Sequence, residues 1–305
     1  MAGIALARPC QDATVEMTDV TRAIAAATSL AASLGLPADD AVVLHDSNKL
    51  ALRLTPCDVF ARVAPVGQEV ARFEVDLAQR LAETGSPVGL LEPRVDPRVY
   101  VRDGFAVTLW TYYEPVTSGA APVDVAQALE ELHAGMRAVD MPSPRFTDRV
   151  TEAEEIVADP VRSPELADAD RAFLGGRLAD LRRAIEGRGA AEQLLHGEPH
   201  PGNVLSTTGG PLFVDLETCC RGPVEFDLAH VPEAVCAHYP GVDQELLDEC
   251  RQLVLAMVAA WRWDRDDQFP RGRLFGEELL RVLRAGAPWP TLDMVVGRLD
   301  GRPVR

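Results

Sequence analysis

The chain predicts an α+β fold in two parts, and three observations predict it. Short apolar, β-branched runs separated by turn residues fill positions 41–111. Helical apolar spacing dominates beyond Tyr113. Between the two lies EPVTSGAAP, residues 114–122, with neither periodicity nor a buried face. The expected organisation is a β-rich lobe over 1–113, with a leading helix, and a helical lobe over 114–305.

Each element follows from local chemistry. TDVTRAIAAATSLAASL, Thr18 to Leu34, is rich in helix formers and meets a stop at Gly35 with Pro37 just beyond. The runs AVVLH, LALRL and VFARV, separated by DSNK and TPCD, read as strands joined by turns. Val70, Phe73, Leu77 and Leu81 recur at three and four residues, so Gln68 to Ala82 reads as a helix ending before Gly85. VGLLEP, RVYVR and FAVTLW read as further strands. Helical spacing then predicts Asp124–Met136, Pro164–Gly187, Asp243–Trp263 and Phe275–Leu283, interrupted by two short strands, VLST and LFVDLE, turned at Gly209 and Gly210.

Composition bounds the function. A formal net charge of −17 repels phosphate backbones and anionic membranes, so nucleic acid and membrane partners are not expected; the charge reads as a solubility feature, with attraction of a cationic small molecule as the alternative. The longest apolar runs, such as LVLAMVAAW at 253–261, fall short of the roughly 20 residues of a membrane span, and a cytoplasmic location is the expectation. Six cysteines without a CxxC pair indicate neither a zinc site nor a disulfide framework. Lys49 is the single lysine beside 29 arginines.

The chemistry concentrates in LHGEPHPGNVLSTTGGPLFVDLETCCRGPVEFD, Leu195 to Asp227. Two prolines and two glycines make HGEPHPGN a loop, which gathers His196, Glu198, His200 and Asn203. A hairpin then returns the chain to Asp215, just past an apolar strand. Asn203 and Asp215 suit a hard divalent cation, which takes one or two oxygen ligands from protein and the rest from water and substrate phosphates. Glu198 remains to orient or deprotonate a hydroxyl nucleophile.

HGEPHPGN, the hairpin, VDLE and GPVEFDLA together closely resemble the aminoglycoside phosphotransferase family of small-molecule kinases. The resemblance implies a bilobal, protein-kinase-like fold. It also implies transfer of the γ-phosphoryl group of ATP or GTP to a small-molecule hydroxyl with Mg²⁺, and antibiotic resistance where the acceptor is an aminoglycoside. By position, His196 resembles the histidine that braces the catalytic loop, and Glu198 stands where the family has an aspartate. Asn203 and Asp215 match the metal ligands, and Asp227 the carboxylate that supports the loop. Arg62 in VFARV takes the place of the phosphate-binding lysine, with Glu74 as its partner and Glu69 as the alternative. Ser47 and Asn48 stand in the phosphate turn, which lacks GxGxxG, and the base is expected near Trp110 to Tyr113, with Trp110 and Tyr112 as contacts. Glu198, Asn203 and Asp215 are expected to face a cleft between the lobes.

The remaining polar residues have plainer readings. Lys49 reads as an exposed hairpin lysine, with contact to a phosphate as the alternative, and His200 as a loop brace, with contact to substrate as the alternative. Glu217 reads as a metal-shell or solvated carboxylate, His133 as structural, and WRWDRDDQF at 261–269 as a solvated helix end, with a face for a cationic, hydroxylated ligand as the alternative. Acceptors stay open between an antibiotic and an ordinary metabolite. Glu198 in place of aspartate also admits a catalytically silent nucleotide- or metabolite-binding protein acting as sensor or scaffold. A metal-dependent hydrolase would want a His-rich ligand set that the chain lacks.

Overall fold

The structure, a computed structural model, describes residues 17–47, 49–67, 70–117 and 119–299. It divides into a sheet unit, residues 17–120 with Leu205–Glu217, and a helical unit, Ala121–Val204 with residues 218–299.

In the sheet unit, α1 (Met17–Ser33) precedes β1 (Ala38–Asp46), β2 (Leu50–Pro56) and β3 (Val59–Pro65); α2 (Val70–Glu83), β4 (Tyr100–Arg102) and β5 (Phe105–Thr111) come next. The strands form an antiparallel sheet in the order β1-β2-β3-β5-β4. Alternation along a strand sends successive side chains to opposite faces. Leu50, Leu52, Leu54, Val59, Ala61 and Val63 therefore share one face and pack on the alanine-rich side of α1. Arg62, opposite Ala51 and Thr108 in register, is turned to the other face. α2 buries Val75, Leu77, Ala78 and Leu81, and with them the carboxylate of Glu74.

VGLLEP departs from its expected strand. Val88 and Leu91 each make a single bridge, to Phe213 and Trp110. Prolines at both ends and Gly89 within leave too few donors for a ladder. The segment instead anchors the later hairpin, for Gly89 N–H donates to Phe213 O at 2.9 Å and Phe213 N–H to Pro87 O at 2.8 Å.

The helical unit begins with α3 (Pro122–Ala138), α4 (Phe146–Ala158) and α5 (Asp168–Gly187), then β6 (Gln193–Leu195). After the hairpin β7 (Val204–Thr207) and β8 (Gly210–Phe213), which from Leu205 on belongs to the sheet unit, comes β9 (Cys220–Gly222), which pairs antiparallel with β6. The chain closes with α6 (Val224–Leu228), α7 (Glu233–Cys236), α8 (Gln244–Trp263), α9 (Gly272–Ala285) and α10 (Leu292–Leu299). α8 is apolar on nearly all sides from Leu253 to Trp263, as befits a central helix, and packs against α4, α5, α6 and α9. No helix among the described residues is long and apolar enough to cross a membrane.

Two expectations need correction here. α5 starts at Asp168, because Pro164 to Ala167 form turns, and α4 was not foreseen. Phe146, Val150, Ala153 and Val157 give α4 its buried stripe. Gly222 lets Phe146 lie against β9: a Cβ there would meet the Phe146 ring at 3.0 Å.

Candidate functional site

In the helical unit, β6 ends at Leu195 opposite Cys220 and delivers His196 to the start of the loop. Asp227, fully buried, holds that start in place. Its Oδ2 accepts the His196 N–H at 2.8 Å and faces His133 Nε2 at 2.9 Å, while its Oδ1 accepts the Gly197 N–H at 2.8 Å. His133 Nδ1 lies 2.8 Å from the Tyr239 hydroxyl. Burial, with Asp227 adding to it, pushes the Tyr239 phenol up to about 12, so Tyr239 stays a donor. His133 is thus a structural bridge.

Gly197 sits at φ +87°, and a Cβ there would lie 2.1 Å from Thr218 O, so only glycine lets the loop pass. Past this turn Glu198 N–H approaches His196 Nδ1 at 3.4 Å, and Asn203 Nδ2 donates to Glu198 O at 3.0 Å. His200 Nδ1 accepts the Gly202 N–H at 3.0 Å and caps the short 3₁₀ turn at Pro201–Asn203, which is a loop brace. The Glu198 carboxylate is buried and its Oε1 is ion-paired with Arg149 of α4, whose other nitrogen donates to Gly197 O at 2.9 Å. The Arg149 guanidinium also lies 5.2 Å from the centre of the Trp261 ring.

Arg149, the ion-pair partner of Glu198, is the residue that sequence reading missed. The apolar spacing of α4 was the available signal, since it puts an arginine one turn beyond the docked Phe146. The segment 261–269 is also corrected. Trp261, Arg262, Trp263 and Asp264 are buried because α8 runs through the interior. Arg262 pairs with Asp267 at 3.1 Å and lies over Phe269, and Asp264 pairs with Arg162.

The sheet unit assembles a second constellation. Arg62 reaches Glu74 with one guanidinium nitrogen and Asp215 Oδ1 with the other, the latter at 2.8 Å. Burial works against the Arg62 charge, but Asp215, Glu74 and Glu217 outweigh it and hold the guanidinium ionised more firmly than usual. Burial raises Glu74, against the pull of Arg62 and Lys49. Asp215 comes after β8 in the left-handed region, φ 67°, a conformation that aspartate tolerates better than most residues and that concentrates at functional positions. Lys49 is not the exposed hairpin lysine expected: its side chain is 10% exposed, paired with Glu217 and 3.7 Å from Glu74. Glu217 is correspondingly an ion-paired carboxylate.

The other expected residues divide. Ser47 lies in the bend after β1. Trp110 is buried, its Nε1 donating to Thr108 Oγ1 at 2.8 Å, and Tyr112 is covered by the Arg53 guanidinium at 4.2 Å. Asn48 and Glu69 lie outside the described residues. The structure therefore groups Arg62, Glu74 and Asp215 in one unit and His196, Glu198, Asn203 and Asp227 in the other.

A family model described as the phosphotransferase enzyme family matches residues 43–266. The structure is similar to that of a choline/ethanolamine kinase family protein from Mesorhizobium loti, with 18% identity and TM-score 0.64 over 89% of this chain and 96% of that one. It is similar to wild-type aminoglycoside 2'-phosphotransferase-IIIa, seen as a GDP complex, at 16% identity and TM-score 0.63 over 88% and 99%. A choline kinase from Streptococcus pneumoniae matches at 14% identity and TM-score 0.62 over 85% and 98%. These likenesses establish a protein-kinase-like α+β fold. No curated protein matches the chain.

Two outcomes test this geometry. Gly197→Ala should lower stability by about 3 kcal/mol, since it combines a disfavoured φ with a backbone clash; a chemical denaturation midpoint equal to that of the parent would show that the loop is built otherwise. Burial pushes His230 well below its ordinary 6.5, with Arg149, His200 and His196 acting in the same direction. As pH falls below that value the unfolded chain takes up a proton that the folded one refuses, so stability drops by up to about 1.4 kcal/mol per pH unit. His230→Phe should flatten that acid limb in denaturation midpoints measured between pH 7 and pH 5.5, and an unchanged limb would contradict it.

Proposed function

The chain belongs to the phosphotransferase enzyme family, and from that premise we propose that it transfers the γ-phosphoryl group of ATP or GTP to a hydroxyl of a small molecule. The observation that carries the reading is Arg62 held between Glu74 of α2 and Asp215 past β8, which presents a fixed cation on one sheet face beside a carboxylate. Nucleotide use is supported by relatives seen with GDP, ADP or AMP.

The residues fit Mg²⁺. Asn203 spends its Nδ2 on Glu198 O, which leaves the amide oxygen as a hard ligand atom, and Asp215 contributes a carboxylate. Held by oxygens of this kind, Mg²⁺ would draw charge from the transferring phosphates. Arg62 binds and orients the triphosphate, with Glu74 fixing its fork. Glu198 aligns the acceptor hydroxyl and receives its proton at the oxygen that Arg149 does not engage. Because phosphoryl transfer depends on positioning more than on proton removal, an ion-paired glutamate meets this need.

The acceptor we favour is a cationic alcohol, an amino alcohol or an aminoglycoside antibiotic. The chain carries −17 formal charge, and related structures include choline kinases and a kanamycin complex. A protein of this charge acting on such a solute suits the cytoplasm. A second reading, a silent nucleotide- or metabolite-binding sensor, has one specific observation behind it, the engagement of Glu198 by Arg149.

A panel of hydroxylated amines incubated with Mg·ATP or Mg·GTP tests the proposal. Turnover should appear as nucleotide consumption with an acceptor mass gain of about 80 units, one phosphoryl group; no product across the panel, with nucleotide still bound, would leave the sensor reading standing. With an acceptor in hand, Asp215→Ala should lower kcat by roughly a hundredfold or more with the fold intact. Undiminished turnover would assign that carboxylate another role. Glu198→Gln should reduce kcat on the order of 10²-fold or more and barely move nucleotide affinity. Glu198→Asp should also lose activity, because the shorter arm leaves Arg149; a more active Asp variant would mark Glu198 as a lesion.

A further inference from the structure

We propose that Lys49 is a second phosphate-binding cation of the nucleotide site, acting beside Arg62; the proposal rests on the phosphotransferase activity proposed for this chain. Strand parity brings Lys49 to that site. Leu50, Leu52 and Leu54 point to α1, so Lys49, Ala51 and Arg53 take the opposite face, and Ala51 stands opposite Arg62 in register. Lys49 thus emerges on the Arg62 face at the head of β2.

Its surroundings there are not those of a solvated hairpin. Its ammonium pairs with Glu217, 168 residues away in sequence, and stands 3.7 Å from Glu74, the same carboxylate that fixes Arg62. Together Lys49 and Arg62 face three carboxylates, Glu74, Asp215 and Glu217. A triphosphate can enter so acidic a cluster only if a cation turns to it. Arg62 is a planar fork engaged on both sides, by Glu74 and by Asp215, so it is fixed in place. Lys49 has a flexible stem and three rotatable donors, two directions of which are taken by carboxylates, and an ammonium serves phosphate as a point charge.

The chain around Lys49 gives the reason for such a residue. The β1–β2 connection, Ser47, Asn48 and Lys49, has no glycine, so a glycine-rich cradle of backbone N–H groups is absent from its sequence. A side-chain cation at the same turn supplies the positive charge that such a cradle would provide. Every other basic residue is arginine, and lysine stands only where compactness and mobility are both used.

The unique lysine makes the test direct. An acyl-phosphate derivative of ATP or GTP transfers its acyl group to a nearby amine: Nζ attacks the carbonyl, the C–O bond to phosphate breaks, the nucleotide leaves and a proton passes to water. Lys49 is the only side-chain amine, so peptide mapping should find the acyl group there, suppressed by excess Mg·ATP or Mg·GTP. In parallel, Lys49→Met should weaken the nucleoside triphosphate tenfold or more and leave the matching free nucleoside within twofold, with Lys49→Arg partly restoring affinity. A parent protein that binds neither triphosphate would defeat the phosphotransferase reading itself. A parent that binds, yet is not labelled at Lys49 and loses nothing in Lys49→Met, would overturn this proposal alone.

Discussion

The Asp227 carboxylate is the interaction on which the helical unit's loop depends. A charge with no access to water is costly unless hydrogen bonds replace its hydration, and three donors do so here: the backbone N–H groups of His196 and Gly197 and the ring of His133. The same three contacts fix the chain at the point where Gly197 takes a conformation closed to other residues. The rest of the loop is set by that turn. Glu198 is carried to Arg149, and the side-chain amide of Asn203 closes back on the Glu198 carbonyl. The sheet unit has its counterpart in Arg62, whose fork ties the α2 carboxylate of Glu74 to Asp215 at the end of the hairpin.

Much of this was legible in the sequence because it is local. Short apolar, β-branched runs between turn residues located β2, β3 and β5, helix-former content located α1, and three-to-four spacing located α2, α3 and α8, within a few residues of their observed ends. Arg62 and Glu74 were carried over from the family resemblance, and they pair as expected. The segment HGEPHPGN read correctly as a loop because proline and glycine chemistry is independent of tertiary context.

The features that escaped depend on contacts distant in sequence. Nothing near Lys49 announces Glu217, and nothing near Glu198 announces Arg149, 49 residues before it. The helix that carries Arg149 comes after three residues that include Pro142 and Pro144 and is rich in acids, so its apolar stripe is thin; only the docking of Phe146 against Gly222 makes it part of the site. The run WRWDRDDQF misled for a related reason. Arg262 and Asp264 look solvated until α8 is seen to lie inside, where Arg262 meets Asp267 and Asp264 meets Arg162 in pairs, while Arg265 and Asp266 beyond them are exposed as a solvated end would be.

Pairing also explains how a glutamate can stand where the family's aspartate is expected. One added methylene would by itself displace the carboxylate, and small misplacements are expensive in a reaction governed by alignment. Arg149 removes that freedom. Its guanidinium is held by the Gly197 carbonyl and by the Trp261 face, so it presents a fixed anchor to the longer side chain. One carboxylate oxygen is committed to the anchor, and under the proposed activity the other would serve the acceptor hydroxyl. The pair acts as a unit, in which the arginine sets the reach that the shorter residue would have by length alone. An arginine placed only to silence the carboxylate would need no tie to the loop backbone, and Arg149 has one. The contact to Gly197 makes the position of the guanidinium, and through it that of Glu198, a property of the same turn that Asp227 holds.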